Sequence, residues 1–172
     1  MSGTSSGGDP VTAAIGRATA GLPDADAKAV DDLVRRGLAD IDPVVGPDDL
    51  AIEIDAALAG PPAGRVDAAR RFAAHRRAFR LGRRSWELLT AYVAGAVTDR
   101  EAVARARELL ADIDAALDAD GTPEGIGKAA DKGRGPDDDA RRRELGDYAL
   151  EARFVLSGGA GPISLRGGKL LG

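Results

Sequence analysis

The 172-residue sequence contains no cysteine, one histidine, and only six aromatic residues: three Phe, two Tyr and one Trp. Without cysteine there can be no disulfide framework, no thiolate nucleophile and no Cys-ligated metal. With His75 alone, a zinc site built on paired histidines is excluded. A base role for His75 would need a nucleophile beside it. Ser85, ten residues on, lies about 15 Å away along an ideal helix. No apolar run approaches the roughly 20 residues that span a bilayer, so no membrane partner is expected. The opening residues, Met1 to Asp9, have neither the basic nor the apolar region of a secretory signal, so a cytoplasmic location is expected. With so few aromatics the core must be thin.

What the chain has instead is alanine, which loses no side-chain entropy in a helix. The expected fold is all-α: a small helical bundle with flexible N-terminus, Gly-rich linker and C-terminal tail. Residues 1–9 read as a disordered tail and 10–119 as the helical core domain. Asp9-Pro10 opens a helix to about residue 20, with Asp capping and Pro at the first helical position. Val11, Ala14, Ile15 and Ala18 form its apolar face. A second helix follows over 24–41, with Val30, Leu33, Val34, Leu38 and Ile41 on one side. A third, over 48–59, carries Leu50, Ile54, Ala57 and Leu58, and Gly60-Pro61-Pro62 stops it.

The fourth helix, over 65–97, reads as the organiser, with Gly82 as a possible kink site. Phe72, Phe79, Trp86 and Val93 recur every seven residues. At about 100° per residue they share an arc of about 60°. This stripe is expected to be core, packed on Leu110 and Leu117 of the fifth helix, since that is ordinary amphipathicity. Thr98-Asp99-Arg100-Glu101 matches a capping box and opens the fifth helix, over 99–119, with a stripe of Val103, Ala106, Leu110, Ile113 and Leu117. The short connection predicts an antiparallel helical hairpin.

Residues 120–137, rich in Gly and charge, cannot offset their ordering entropy by burial and read as a flexible linker. Residues 138–157 fit a helix through Leu145, Tyr148, Ala152, Val155 and Leu156. They fit a strand through alternate residues from Tyr148 to Leu156 equally well. Helix is preferred because Asp-rich capping and Ala, Arg and Glu come first. Residues 158–172 form a Gly-rich apolar-basic tail.

Catalytic motifs fail on inspection, and no cofactor or metal is expected. Gly125-Ile126-Gly127-Lys128 lacks the first Gly and the hydroxyl residue of a phosphate loop, and no strand precedes it. Asp31-Asp32 and Asp137-Asp138-Asp139 read as solvated acid, the latter beside a helix start where negative charge is favourable.

Charge is segmented. Residues 1–60 hold four basic and eleven acidic residues, and 61–97 hold eight and two. Residues 98–140 return to acid, with six and twelve. Arg70, Arg76, Arg77, Arg80, Arg83 and Arg84 share one face of the fourth helix. Three uses are open: internal pairing with acidic neighbours, docking of an acidic protein, or nucleic-acid binding. The last lacks interleaved aromatics on that face and sits in an acidic chain. The tail is a second docking candidate, with Ile163, Leu165, Leu170 and Leu171 as apolar anchors around Arg166 and Lys169. Within it, Ser164-Leu165-Arg166 resembles the Gly-Ser-Leu-Arg-type C-terminal loading peptides of encapsulin cargo proteins. The likeness is confined to those three residues and implies cargo docking through the tail.

The expected function is that of a non-catalytic accessory or adaptor protein acting through protein contacts. The alternatives are a subunit or cargo protein of a larger enzyme or compartment, and a nucleic-acid binder.

Overall fold

A computed structural model describes residues 9–39, 45–121 and 136–159, and every described element is helical. In chain order they are α1 (Pro10–Thr19), α2 (Asp24–Leu38), α3 (Pro47–Ala57), a 3₁₀ turn (Pro62–Gly64), α4 (Arg65–Val93), α5 (Asp99–Gly121) and α6 (Pro136–Leu156). The ambiguous segment after the linker is therefore helix. The reason is its burial period: Leu145, Tyr148, Ala149, Ala152 and Val155 are buried at three- and four-residue steps. The expected linker lies, over 122–135, outside the described residues, as do the tail residues Ile163, Leu165, Arg166, Lys169, Leu170 and Leu171.

The chain forms two compact units, Met1–Arg77 and Ala78–Gly172, divided within α4. In the first, α1, α2, α3 and the start of α4 enclose Ala14, Ile15, Ala18, Val30, Val34, Ile54, Leu58, Ala69 and Phe72. Asp9 caps α1 as its sequence position implied, accepting from the amides of Val11 at 3.3 Å and Thr12 at 3.2 Å. At the other end of α1, Arg65 donates to the carbonyls of Ala18 at 3.0 Å and Ala20 at 2.9 Å. Helix carbonyls that have no partner within their own helix are thereby satisfied. Gly37 of α2 lets α4 approach closely, since a Cβ there would stand 3.2 Å from the Ala73 Cα and 2.9 Å from the Phe72 ring.

In the second unit, the rest of α4 joins α5 and α6 around Ala78, Leu81, Leu88, Ala102, Ala106, Leu109, Ile113, Leu145, Tyr148, Ala152 and Val155. The turn between α4 and α5 depends on Gly95. Its φ is 65°, where a side chain is strained. Its amide meets the Tyr92 carbonyl at 3.1 Å, while the Ala96 amide meets that of Ala91 at 2.8 Å. These are the paired bonds of a glycine-terminated helix. Half of the capping box forms on the far side, where the Glu101 amide donates to Thr98 Oγ1 at 3.3 Å, while the Glu101 carboxylate accepts from Arg105 at 2.6 Å.

One expectation about the core is overturned. Phe72 is buried, but Phe79 is 64 % exposed, Trp86 58 % and Val93 72 %. Past residue 77 the buried positions of α4 are Ala78, Leu81, Gly82, Ser85 and Leu88. That helical stripe does not include the aromatic positions, and it takes the place against α5 that size alone assigned to the aromatics. On α5 the buried set is accordingly Ala102, Ala106, Leu109, Ile113 and Ala116, with Leu110 and Leu117 only partly covered. His75 is exposed.

Candidate functional site

The surface of α4 carries the two features with most to offer a partner, its arginines and its uncovered aromatics. The arginines are largely matched by carboxylates of the chain itself. In the first unit, Arg70 pairs with Asp67 at 2.8 Å, and Arg76 with Glu53 of α3. Arg76 is mostly covered, its guanidinium lying 5.7 Å from the centre of the Phe72 ring. That burial lowers its pKa, the charged form being the one that loses hydration. In the second unit, Arg83 pairs with Glu87 at 2.8 Å, and Arg84 with Asp112 of α5. Arg77 and Arg80 are half-buried.

Of the acidic clusters, Asp31 and Asp32 are taken up by surface ion pairs. Asp31 meets Arg35 at 2.9 Å and Asp32 meets Lys28 at 2.6 Å, both one helical turn apart. Asp139, at the start of α6, is exposed. Between α1 and α3, Arg17 grips Asp55 with two parallel bonds, Nε to Oδ1 at 3.1 Å and Nη2 to Oδ2 at 2.6 Å. Hydrogen bonding to Arg17 holds the Asp55 carboxyl below its usual value. The Thr12 hydroxyl does the same for Asp9, and Lys28 for Asp32. A carboxyl whose folded pKa is depressed adds stability above its unfolded value and loses it as pH falls through the folded one. The first unit, which holds all three, should therefore loosen as pH drops through and below the ordinary carboxylate range. Hydrogen exchange of the α1 amides on acidification reads this directly, and protection that is flat across that range would contradict it.

Two side chains are the most deeply buried polar ones among the described residues. Ser85 is 1 % exposed and Glu151 2 %. The Ser85 hydroxyl hydrogen-bonds to the Glu151 carboxylate, and it lies 3.4 Å from the Tyr148 carbonyl. A serine beside a carboxylate suggests a nucleophile and its base, but a hydroxyl sealed from solvent offers no path for substrate. The pair ties α4 to α6. Both residues fall on the buried stripe of their helix, but the stripe of α4 was assigned to its aromatics, so the sequence carried no usable signal for the pair.

A surface hollow between α4 and α5 is lined by Arg84, Glu87, Leu88, Arg105, Glu108 and Leu109, charges of both signs over an apolar floor. Among the described residues, no group of three or more His, Asp or Glu gathers in a metal-binding arrangement.

What remains uncovered is apolar. Phe79, Trp86 and Val93, with Ile52 on α3, are the large hydrophobic residues exposed among those described. The first three form one line along α4, all within the second unit. The chain matches no protein-family model, no curated protein and no solved structure. Its surface chemistry is thus the basis for a functional reading. No described helix is long and apolar enough to cross a membrane.

Proposed function

We propose that this protein is a non-catalytic helical accessory or adaptor protein, and that it works through a protein–protein contact centred on the outer face of α4 between Phe79 and Val93. The observation that carries the proposal is the uncovered line of Phe79, Trp86 and Val93. Leaving a Trp and a Phe in water forgoes burial free energy that a chain with so few aromatics could have used. Large apolar side chains left exposed along one helix face are the kind of surface by which proteins dock. Trp and Arg are also the residues most enriched at the energetic centres of interfaces, and Arg83 lies beside this line.

The arginine pairing supports protein over nucleic acid as the partner. Arg70, Arg76, Arg83 and Arg84 already have carboxylate partners within the chain. A phosphate backbone would have to compete with each of them. An apolar stripe gains nothing from phosphate and much from another apolar surface.

The test is a photo-crosslinking side chain placed at position 79 in the producing cell, with the exposed position 36 as control. Protein adducts from position 79 well above the control are expected. Adducts to nucleic acid alone, or none above the control, would overturn the proposal.

A further inference from the structure

Phe79, Trp86 and Val93 are spaced seven and seven residues apart, so the line is symmetric about Trp86. On a helix this places Phe79 and Val93 about 10 Å to either side of the indole. A surface with this symmetry is complementary to itself turned end for end, because a two-fold axis beside Trp86 sets each Phe79 opposite the other copy's Val93. Seven-residue spacing is also the repeat by which two helices keep one seam in contact.

The charges flanking the line follow the same symmetry. Arg83 and Glu87 lie together on one side of it, paired at 2.8 Å. In an antiparallel pairing about Trp86, flanks on the same side face each other. The Glu87 carboxylate of one copy then stands about 3 Å, measured along the axis, from Arg83 of the other, nearer than the roughly 6 Å to Arg83 on its own helix. Each carboxylate gains a second guanidinium, and the reverse exchange occurs across the axis. In a parallel pairing this flank would instead face the opposite flank of the other copy, and the exchange between Arg83 and Glu87 would not form.

We infer that the partner of this face is a second copy of the chain, joined antiparallel along α4 about Trp86. This rests on the docking reading above and names its occupant. The aromatic pair exposes about 200–300 Å² per copy, since a Phe or Trp presents about 150–250 Å² in full. A standard stable interface takes about 800 Å² per partner. The pairing is therefore a dissociating one, and its concentration dependence is the signature to seek.

The absence of cysteine and the single tryptophan make the experiment clean. Sedimentation of the full chain from about 5 to 500 µM, a range suited to a small interface, should show apparent mass rising towards double. Trp86 emission should shift to the blue in step. Trp86→Glu, at an exposed position, should keep the helical circular dichroism and stay monomeric throughout. Mixing equal amounts of Phe79→Cys and Val93→Cys chains under mild oxidation should give the mixed disulfide well beyond the twofold excess over either symmetric one that random pairing produces. A mixed disulfide no greater than that random excess would overturn the antiparallel arrangement, and a Trp86→Glu chain that still doubles in mass would overturn the seam. A wild-type chain that stays monomeric while position 79 crosslinks other proteins in the cell would overturn the self-partner and leave the docking reading standing. Monomer with no adducts would end both.

Discussion

Leu81→Ala should destabilise the second unit by about 2–5 kcal/mol, the range for truncating a buried leucine, while Phe79→Ala should change it by no more than about 0.5 kcal/mol, as for surface substitutions. The two residues are neighbours in sequence, and the larger side chain is expected to matter less. Leu81 is fully buried in the core that also holds Ala78, Leu88, Leu109 and Ile113, so its removal leaves a cavity there. Phe79 is 64 % exposed, so its removal gives back little burial. Denaturant unfolding at low micromolar concentration, where self-association does not contribute, separates the two. If Phe79→Ala cost more than Leu81→Ala, the aromatic line would be the core and the docking face would vanish with it.

The aromatic line shows why size misleads in this sequence. Both candidate stripes of α4 are helical in period. The aromatic one has the larger side chains, and the other contains Ala78, Gly82 and Ser85, which look like gaps. Small residues are what permit close packing, however. Ser85 meets Glu151, and Gly82 admits a tyrosine ring. A hydrophobicity ranking cannot see such contacts, because each is completed by a residue more than sixty positions away. Local signals fared better wherever the deciding chemistry was local. Asp9 and Thr98 start helices by bonds to amides within one turn, and Pro10 suits the first helical position through its fixed φ, whereas Gly95 ends α4 at Val93, short of the expected 97.

The same division holds for the candidate site. The arginine face was visible because it is a property of one helix. The partners in α3 and α5, Glu53 for Arg76 and Asp112 for Arg84, were foreseeable only as a class, the acidic neighbours. The uncovered apolar line was present in the sequence but could not be distinguished from core. That distinction depends on which side of α4 the later helices occupy.

Gly82→Ala should destabilise the second unit by about 1–3 kcal/mol, the usual cost of forcing extra volume into a packed core. This reverses the ordinary sign, because alanine in a helix interior is favoured over glycine by about 1 kcal/mol. The reversal comes from Tyr148. A Cβ at position 82 would stand 2.6 Å from both the Cζ and the hydroxyl oxygen of Tyr148, and 3.0 Å from Cε2. Tyr148 is only 6 % exposed, so its ring cannot yield without disturbing the contacts around it. Gly146, on α6, is the control: a Cβ there meets nothing within 4 Å, and Gly146→Ala should stabilise by up to about 1 kcal/mol. The cause is isolated by adding Tyr148→Leu to each. Once the ring is gone, Gly82→Ala should lose most of its penalty, giving a coupling within the roughly 0.5–3 kcal/mol seen for residues in contact. Gly146→Ala should be unaffected. If Gly82→Ala proved as stabilising as Gly146→Ala, the ring would not cross α4 at this point. Gly82 would then be a neutral position in the helix, and the contact of α4 with α6 would rest on Ser85 and its apolar neighbours alone.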